Sequence, residues 1–421
     1  MTSVFSKRDF SATKWFTLEK ILQLITGIFI IPKIFSALGT VDIGKLKFVE
    51  AVLGMFTPLF FLGLSAICIR EIVFNPERYH RILATAFYLR LMSWLVIFLG
   101  ITIYFGVVED STLKGLYLMI AFGYLFKLTD VFEYYLLAIK WTKIIFISKI
   151  ISLGFIVGLQ YYGVTQEFDV YYFGLLIVLD FFIQGLIYII ILKQKNLLFF
   201  KQWKFSKLLA SSLLRMSVPL IISNSLIMFY ITIDELFLKY YHGDHANGIF
   251  ATVQFLVIIL SWNIGFSIIN ALYPSLAESY QTHTGLYHQK LKVLFKIMFI
   301  LGLSIAVFYT LFGNLILDTF FSEAYAEAKD PLLIFCWAPL IIFIGMIYEK
   351  HLINTNNLQK NVYRFGLGFV TNLTLCYLLI PLWQVNGAAI AVLISHFMTN
   401  IAYVFMDSTS RKEVVLLFRM S

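Results

Sequence analysis

Residues 170–192 read VYYFGLLIVLDFFIQGLIYIIIL, an apolar run that contains a single charged side chain, Asp180. An α-helix rises about 1.5 Å per residue, so a run of this length spans the roughly 30 Å of hydrocarbon in a bilayer. The run is continuous, whereas a membrane-spanning β-strand alternates between apolar and polar residues. The stretch therefore predicts a transmembrane α-helix.

The rest of the chain repeats this pattern. Of its 421 residues, 60% are hydrophobic and 14% are charged, whereas a soluble protein carries about 25% charged residues. This composition excludes a soluble enzyme, a disordered chain and a secreted disulfide scaffold. The apolar segments long enough to cross a bilayer are 16–39, 47–69, 83–107, 115–137, 144–162, 170–192, 214–238, 248–275, 293–317, 331–353, 362–382 and 386–407. The sequence thus predicts an all-α, polytopic membrane protein with about twelve transmembrane helices.

The net charge of +9 is explained by where the basic residues fall along the chain. When both termini and alternate loops are assigned to the cytoplasm, the inside regions hold most of the 33 Lys and Arg residues, and the outside loops are short and acidic. This asymmetry follows the positive-inside rule. It predicts that both termini are cytoplasmic, and it accounts for the charge without a nucleic acid partner. The first apolar segment is not closed by a small-residue cleavage site, so we expect an uncleaved first helix.

The longest polar stretch, residues 193–213, separates two sets of six apolar segments. We expect an N-terminal six-helix lobe at 1–192 and a basic cytoplasmic linker at 193–213. A C-terminal six-helix lobe at 214–407 and a cytoplasmic tail at 408–421 complete the predicted organisation.

The two halves share a short pattern. Lys33 is followed by a short loop, Ile43-Gly44 and a long apolar run, and Asp234 is followed by a similar loop, Asn247-Gly248 and another long run. Transporters are often built from two related halves with the substrate site between them. The shared pattern therefore supports two lobes around a central cavity.

The sequence contains no common enzyme motif. GxSxG, a P-loop, HExxH and GxGxxG are all absent. The three cysteines lie in apolar runs without a CxxC pair, so we expect neither a disulfide nor a zinc site. A transport protein is therefore favoured over an enzyme. A membrane polymerase or glycosyltransferase stays as the alternative from another class, although its catalytic residues would need a larger outside loop.

Charged residues inside apolar segments mark candidate sites, because a charge at bilayer depth costs about 2.5–3.5 kcal/mol on insertion scales. By position, Arg90, Lys127, Asp130 and Asp180 lie deepest. We expect Arg90 and Asp180 to face a polar cavity. Lys127 and Asp130 are three residues apart, so they either face the cavity or pair along their own helix.

Several stretches resemble a known family. They are IPK at 31–33, MSVPL at 216–220, YITID at 230–234, NGIFA at 247–251 and VNGAAIA at 385–391. In order and spacing they resemble the polysaccharide flippases, the O-antigen transporter branch of the multidrug/oligosaccharidyl-lipid/polysaccharide exporter superfamily. The match is imperfect, since the fourth stretch has Phe where the family often has Tyr.

The resemblance implies a function and a location. Such flippases move an oligosaccharide repeat unit on polyprenyl pyrophosphate across the bacterial inner membrane. We therefore expect the substrate to be an undecaprenyl-pyrophosphate-linked oligosaccharide, of O-antigen type, carried by a monomer in contact with membrane lipids. A polysaccharide polymerase and a chain-length regulator are the expected protein partners. Because no nucleotide motif is present, we expect an H⁺ or Na⁺ gradient, and no cofactor, to drive transport.

Candidate site residues follow from the charges of this substrate and of the coupling ion. The candidate substrate-binding cations are Arg90, Lys127, Lys33 and Lys149. The candidate ion-coupling acids are Asp180, Asp130 and Asp234, of which Asp234 ends the family-like YITID stretch. Lys33 and Lys149 lie near helix ends, so extension of their ammonium groups to the interface is the alternative, and a structural role is the alternative for Asp234. A drug/cation antiporter of the same fold stays the alternative function. Arg90 and Lys127 favour the anionic lipid.

Overall fold

The computed structural model describes residues 7–105, 111–195, 203–282, 284–355, 357, 359–407 and 411, which form helices joined by short turns. Helices are expected here because backbone groups in hydrocarbon must bond within their own segment. In these residues the α-helices are α1 Lys7–Phe61, α2 Leu64–Phe74, α3 Tyr79–Phe105, α4 Ser111–Gly123, α5 Val131–Ala138, α6 Thr142–Thr165, α7 Val170–Gln194, α8 Lys207–Gln254, α9 Leu260–Thr282, α10 Thr284–Phe320, α11 Lys329–Phe335, α12 Ala338–Asn354, α13 Gln359–Phe397 and α14 Tyr403–Met406.

The helices group into two compact units. The first unit contains Met1–Ala37 and Val49–Ser225, and the second contains Leu38–Phe48 and Leu226–Ser421. The chain therefore changes unit within α1, at residues 38 and 49, and again within α8, after residue 225. Each unit includes a short piece from the other half of the chain.

Each unit has its own apolar core. In the first unit, α7 packs against α4 and α6, and α2 packs against α3 and α5 around Leu64, Phe132 and Leu136. In the second unit, α10 packs against α9 and α12 around Met298 and Phe343. The short helix α5 packs against α2, α3, α6 and α7, so its polar side chains lie within the first unit.

The helices are long and apolar enough for a multi-pass membrane protein, as the sequence predicts. The described residues contain eight helices that meet the requirements for crossing a membrane, or nine if the bent pair Glu323–Phe335 and Ala338–Asn354 forms one span. Three of these, Leu18–Phe74, Lys207–Ile269 and Gln359–Met406, have 57, 63 and 48 residues. About 20 residues suffice for one crossing. The count of twelve crossings stays a prediction.

The three longest helices are each interrupted near the boundary between two predicted segments. The interruptions lie at Gly39 (φ 74°), Gly243 (φ 79°) and Gln384 (φ 49°). A positive φ suits glycine, which has no Cβ to clash, and strains glutamine. Gly39 and Gly243 have nearly the same conformation, with ψ values of 173° and −167°. The two halves of the chain therefore turn in the same way at equivalent positions.

These two turns pack reciprocally in the second unit. A Cβ atom on Gly44 would lie 1.8 Å from the carbonyl oxygen of Asp244, and one on Gly248 would lie 1.9 Å from the carbonyl oxygen of Thr40. The Asn247 side chain donates a hydrogen bond of 2.9 Å to the carbonyl oxygen of Gly44. Only glycine fits at positions 44 and 248, so the pattern shared by the two halves is a backbone-to-backbone contact.

Candidate functional site

The fourth predicted segment is broken in its middle. α4 ends at Gly123, the 3₁₀ turn Phe126–Asp130 follows, and α5 begins at Val131. A break at membrane depth leaves backbone groups without helical partners, so other groups of the protein must satisfy them. Transporters often form their sites at such discontinuous helices. The break lies at Lys127 and Asp130, two of the residues that the sequence predicts for the site.

Arg90 of α3 is fully buried and contacts the break directly. Its Nη2 donates to the carbonyl oxygen of Lys127 at 2.7 Å, and its Nη1 donates to the Tyr134 hydroxyl at 3.1 Å. The Asp130 carboxylate lies 3.9 Å from Nη2, and the guanidinium lies over the Phe61 ring at 4.9 Å from its centroid. Arg90 thus supplies a side-chain donor to a carbonyl group of the 3₁₀ turn. Its direct contact with substrate stays a prediction.

Lys127 is half-buried beside two aromatic rings. Its Nζ lies 4.6 Å from the centroid of the Phe181 ring and 5.7 Å from that of Phe61. Asp130, the partner considered from sequence spacing, instead pairs with Arg90. Among the described residues no carboxylate lies within ion-pair distance of Lys127. The break therefore carries one cation whose charge is not neutralised there.

Lys149 of α6 lies between two carboxylates. Its Nζ is 3.3 Å from Oε1 of Glu133 on α5 and 3.7 Å from Oε1 of Glu19 on α1. The Tyr188 hydroxyl of α7 donates to Oε2 of Glu133 at 3.1 Å. Glu19 and Glu133 are not among the residues predicted from the sequence, because both lie near the ends of their segments, where an acid at the interface is ordinary. The available signal was an acid within an otherwise apolar stretch.

The described partners of Asp180 and Lys33 lie neither at the break nor in the group of Lys149 and its two carboxylates. Asp180 accepts hydrogen bonds from the Ser152 hydroxyl at 2.5 Å and from Nε2 of Gln184 at 2.9 Å. Lys33 is exposed, with Nζ 5.2 Å from the centroid of the Tyr161 ring. Neutral donors therefore surround the Asp180 carboxylate, and the Lys33 ammonium is open to its surroundings.

Asp234 lies alone among the predicted residues in the second unit, where it is fully buried. Gln254 donates to its Oδ2 at 3.0 Å, while Oδ1 has no hydrogen-bond partner within the described part of the chain. Gln254 directly precedes the π-helical turn Phe255–Ile259, a rare distortion that is frequent at functional sites. In the residues that the structure covers, no group of three or more His, Cys, Asp or Glu side chains is arranged to hold a metal.

Sequence comparison finds a family and a relative. A family model described as "Polysaccharide biosynthesis protein" matches residues 12–280. The capsular polysaccharide biosynthesis protein CapF of Staphylococcus aureus is 27% identical over 193 residues, which cover 45% of this chain and 48% of CapF. The match thus spans about half the length of this curated relative.

Comparison with solved structures identifies the fold. An inward-facing multidrug resistance MATE family transporter of the MOP superfamily superposes with a TM-score of 0.76 at 14% identity, covering 96% of both chains. The lipid II flippase MurJ, in an inward closed conformation, superposes with a TM-score of 0.70 at 13% identity, covering 96% of this chain and 91% of that one. These identities carry no functional detail, but the similarity over nearly the whole chain confirms the predicted all-α, polytopic fold.

Proposed function

Because this chain belongs to the polysaccharide biosynthesis protein family, we propose that it flips a polyprenyl-pyrophosphate-linked oligosaccharide repeat unit, of O-antigen type, across the bacterial inner membrane. The multi-pass helical fold that it shares with transporters supports movement by alternating access. The observation that carries the proposal is the charge of Lys127, which no described carboxylate neutralises, at the break between α4 and α5.

A pyrophosphate group binds best to cationic donors that are not already paired with carboxylates. Lys127 meets this requirement, because Phe61 and Phe181 hold its ammonium by cation–π contacts that leave its net charge intact. The break therefore carries an ammonium whose charge is suited to an anion.

The other predicted cations take supporting roles in this proposal. Arg90 holds the Lys127 backbone in place, since it donates to the carbonyl oxygen of that residue. Lys149 and Lys33 are proposed as further contacts of the substrate during the transport cycle. We also propose that the protein acts as a monomer among membrane lipids, next to a polysaccharide polymerase and a chain-length regulator.

An ion gradient is proposed as the energy source, because the sequence has no nucleotide-binding motif. Asp180, Asp130 and Asp234 are the proposed coupling acids, and H⁺ or Na⁺ is the proposed ion. Asp234 has the strongest support. A buried carboxylate oxygen without a partner is costly, and a bound cation or proton removes that cost.

A drug/cation antiporter is the second candidate, and the buried Asp234 carboxylate favours it. A cationic drug would be repelled by Lys127, whose charge is not balanced by a carboxylate in the described part of the chain. We therefore rank the anionic lipid above the cationic drug.

Reconstitution of the purified chain in liposomes tests whether the substrate is the anionic lipid or a cationic drug. An undecaprenyl-pyrophosphate-linked oligosaccharide is placed in the bilayer, and its arrival in the opposite leaflet is followed with an enzyme that cleaves the exposed sugar. The loss of one charge-assisted hydrogen bond, about 1.5–3 kcal/mol, corresponds to a roughly 10- to 100-fold drop. We expect Lys127→Ala to slow flipping by at least about 10-fold.

Lys114→Ala is the matched control, because Lys114 lies at the start of the same broken helix and away from the break. We expect it to flip at nearly the wild-type rate. The proposal fails if the wild-type chain does not flip the lipid under an imposed H⁺ or Na⁺ gradient. Efflux of a cationic dye by the same liposomes would then support the antiporter.

A further inference from the structure

The turn within α13 is built on a strained residue. Gln384 has φ 49° and ψ −127°, a backbone conformation that residues with a Cβ rarely adopt and that glycine adopts freely. The other two long helices are interrupted at glycines, Gly39 and Gly243. A glycine at position 384 would avoid the strain, so the glutamine side chain is present at a conformational cost.

The described contacts of the turn do not explain why glutamine stands there. The Gln384 side chain is exposed, and it has no hydrogen-bond partner within the described ranges. Gly387 makes the turn tight, because a Cβ on it would lie 2.4 Å from the carbonyl oxygen of Leu379. The fold thus needs Gly387 for the turn, whereas the amide of Gln384 is left available to a partner outside the chain.

Two neighbours of Gln384 also have unused binding groups. The Trp383 side chain is 54% exposed, and no described aromatic ring packs against it. Oδ1 of Asn386 is buried and has no hydrogen-bond partner in the part of the chain that the structure covers. An indole ring and two amides therefore occur within four consecutive residues.

The turn within α8 lies beside this one. Nε2 of His242 donates a hydrogen bond of 2.8 Å to the carbonyl oxygen of Ile380, which joins the two turns in the second unit. Tyr240 is 82% exposed, and its ring lies 4.9 Å from that of Tyr241. The same end of the unit therefore carries further aromatic rings with hydroxyl groups.

The chemistry of this surface is neutral. Between Arg364 and Asp407 the sequence contains no Asp, Glu, Lys or Arg, so the α13 turn has no charge of its own to bind a phosphate group. An amide offers both donors and an acceptor, as hydroxyl groups require. An indole ring offers a flat apolar face with a polar edge, which suits the C–H face of a sugar ring.

We infer that Trp383 and Gln384 bind the sugar of the lipid-linked oligosaccharide, an inference that rests on the proposed function and extends it to the carbohydrate part of the substrate. The Trp383 ring stacks on a sugar ring, and the Gln384 amide bonds to its hydroxyl groups. The predicted topology places this turn outside, on the side where the sugar arrives. The strain at Gln384 is accepted in the free protein because the side chain is used in the complex.

A fluorescence titration of the purified full-length chain in lipid nanodiscs tests the site. The probe is the water-soluble oligosaccharide released by mild acid from the lipid used in the flipping assay. We expect a saturable change in tryptophan fluorescence that Trp383→Phe removes. Gln384→Gly should weaken the apparent affinity about 2- to 10-fold, the effect of one neutral hydrogen bond. The same variant should unfold at an unchanged or higher temperature, because glycine relieves the strain.

Matched controls separate binding from folding. Trp337→Phe should keep the fluorescence change, since Trp337 is 40% exposed elsewhere in the second unit. Gln359→Gly should keep the affinity, because Gln359 is an exposed glutamine at the start of the same helix. A purely structural role for Gln384 cannot account for a variant that is at least as stable as the wild type and binds sugar less well.

Three results would overturn the inference. They are a wild-type chain that does not respond to the oligosaccharide, a Trp383→Phe variant that responds in full, and a Gln384→Gly variant with wild-type affinity. The first would leave Trp383 as an interfacial anchor only. The Gln384→Gly titration keeps the test decisive if Trp383→Phe does not fold. Sugar binding without flipping would refute the proposed function alone, and flipping without sugar binding would refute this site alone.

Discussion

Replacing Arg90 with methionine tests how the break between α4 and α5 is held in place. Methionine keeps an unbranched side chain of similar length but removes the charge and all hydrogen-bond donors. The carbonyl oxygen of Lys127 and the hydroxyl of Tyr134 then lose donors that now lie at 2.7 and 3.1 Å. Asp130 loses its described ion-pair partner.

The expected cost of Arg90→Met can be worked out contact by contact. A hydrogen bond from a charged group to a buried carbonyl oxygen contributes about 1.5–3 kcal/mol, and a side-chain hydrogen bond within a membrane protein averages about 0.6 kcal/mol. The Asp130 pair adds less than about 1 kcal/mol, because its carboxylate is 25% exposed and the atoms are 3.9 Å apart. We therefore expect the free energy of unfolding to fall by about 2–4 kcal/mol. Arg90→Lys should recover part of this loss, because one ammonium replaces the planar fork.

Equilibrium unfolding of the purified chain in mixed micelles, followed by tryptophan fluorescence, measures this change. Arg70→Met is the matched control, since Arg70 is 53% exposed and pairs with Glu71 at 3.0 Å on the surface of the same unit. It should cost less than about 1 kcal/mol. If Arg90→Met costs no more than Arg70→Met, the guanidinium does not hold the break, and the role assigned to it is wrong.

Three further outcomes follow from the topology, the acids and the turns. Reporter fusions in the 193–213 loop and at the C-terminus should report the cytoplasm, and a periplasmic signal at either site would contradict the topology. Asp180→Asn should reduce gradient-driven transport with normal membrane insertion, and an unchanged pH dependence of transport would argue against proton carriage there. Gly44→Ala should prevent accumulation of folded protein, because its Cβ would lie 1.8 Å from the Asp244 carbonyl oxygen, whereas Gly54→Ala, with open space around it, should be tolerated.

The apolar segments and their turns were predictable because each depends on local sequence. Continuous apolar runs leave the backbone few options in a bilayer other than the helix, and Gly39 and Gly243 lie where the runs pause. The acid at the end of the YITID stretch, Asp234, is fully buried, and its ion-coupling role stays a prediction. Depth along a helix follows from counting residues, and the structure buries the Arg90 side chain completely.

The partners of these residues were not predictable, because they depend on how each helix is rotated about its axis. Spacing left open whether Lys127 and Asp130 pair with each other or face a cavity. Arg90 comes from another helix and contacts both the carbonyl oxygen of Lys127 and the Asp130 carboxylate. The break between α4 and α5 contains no proline, so the sequence gives no local signal of its position. Glu19 and Glu133 gained significance only when Lys149 was found between them.

The contact between the two turns of the second unit can form only after the second half of the chain has been synthesised. Asn247 and the Gly44 carbonyl oxygen that it bonds are 203 residues apart in the chain. At about 5–20 residues per second, synthesis needs roughly 10–40 s to supply the partner of the early turn. During that time residues 38–48 lack the helices that enclose them in the finished unit. The surface around Gly44 in the nascent first half therefore stays uncovered until the second half has been synthesised. The second unit is completed only at that point.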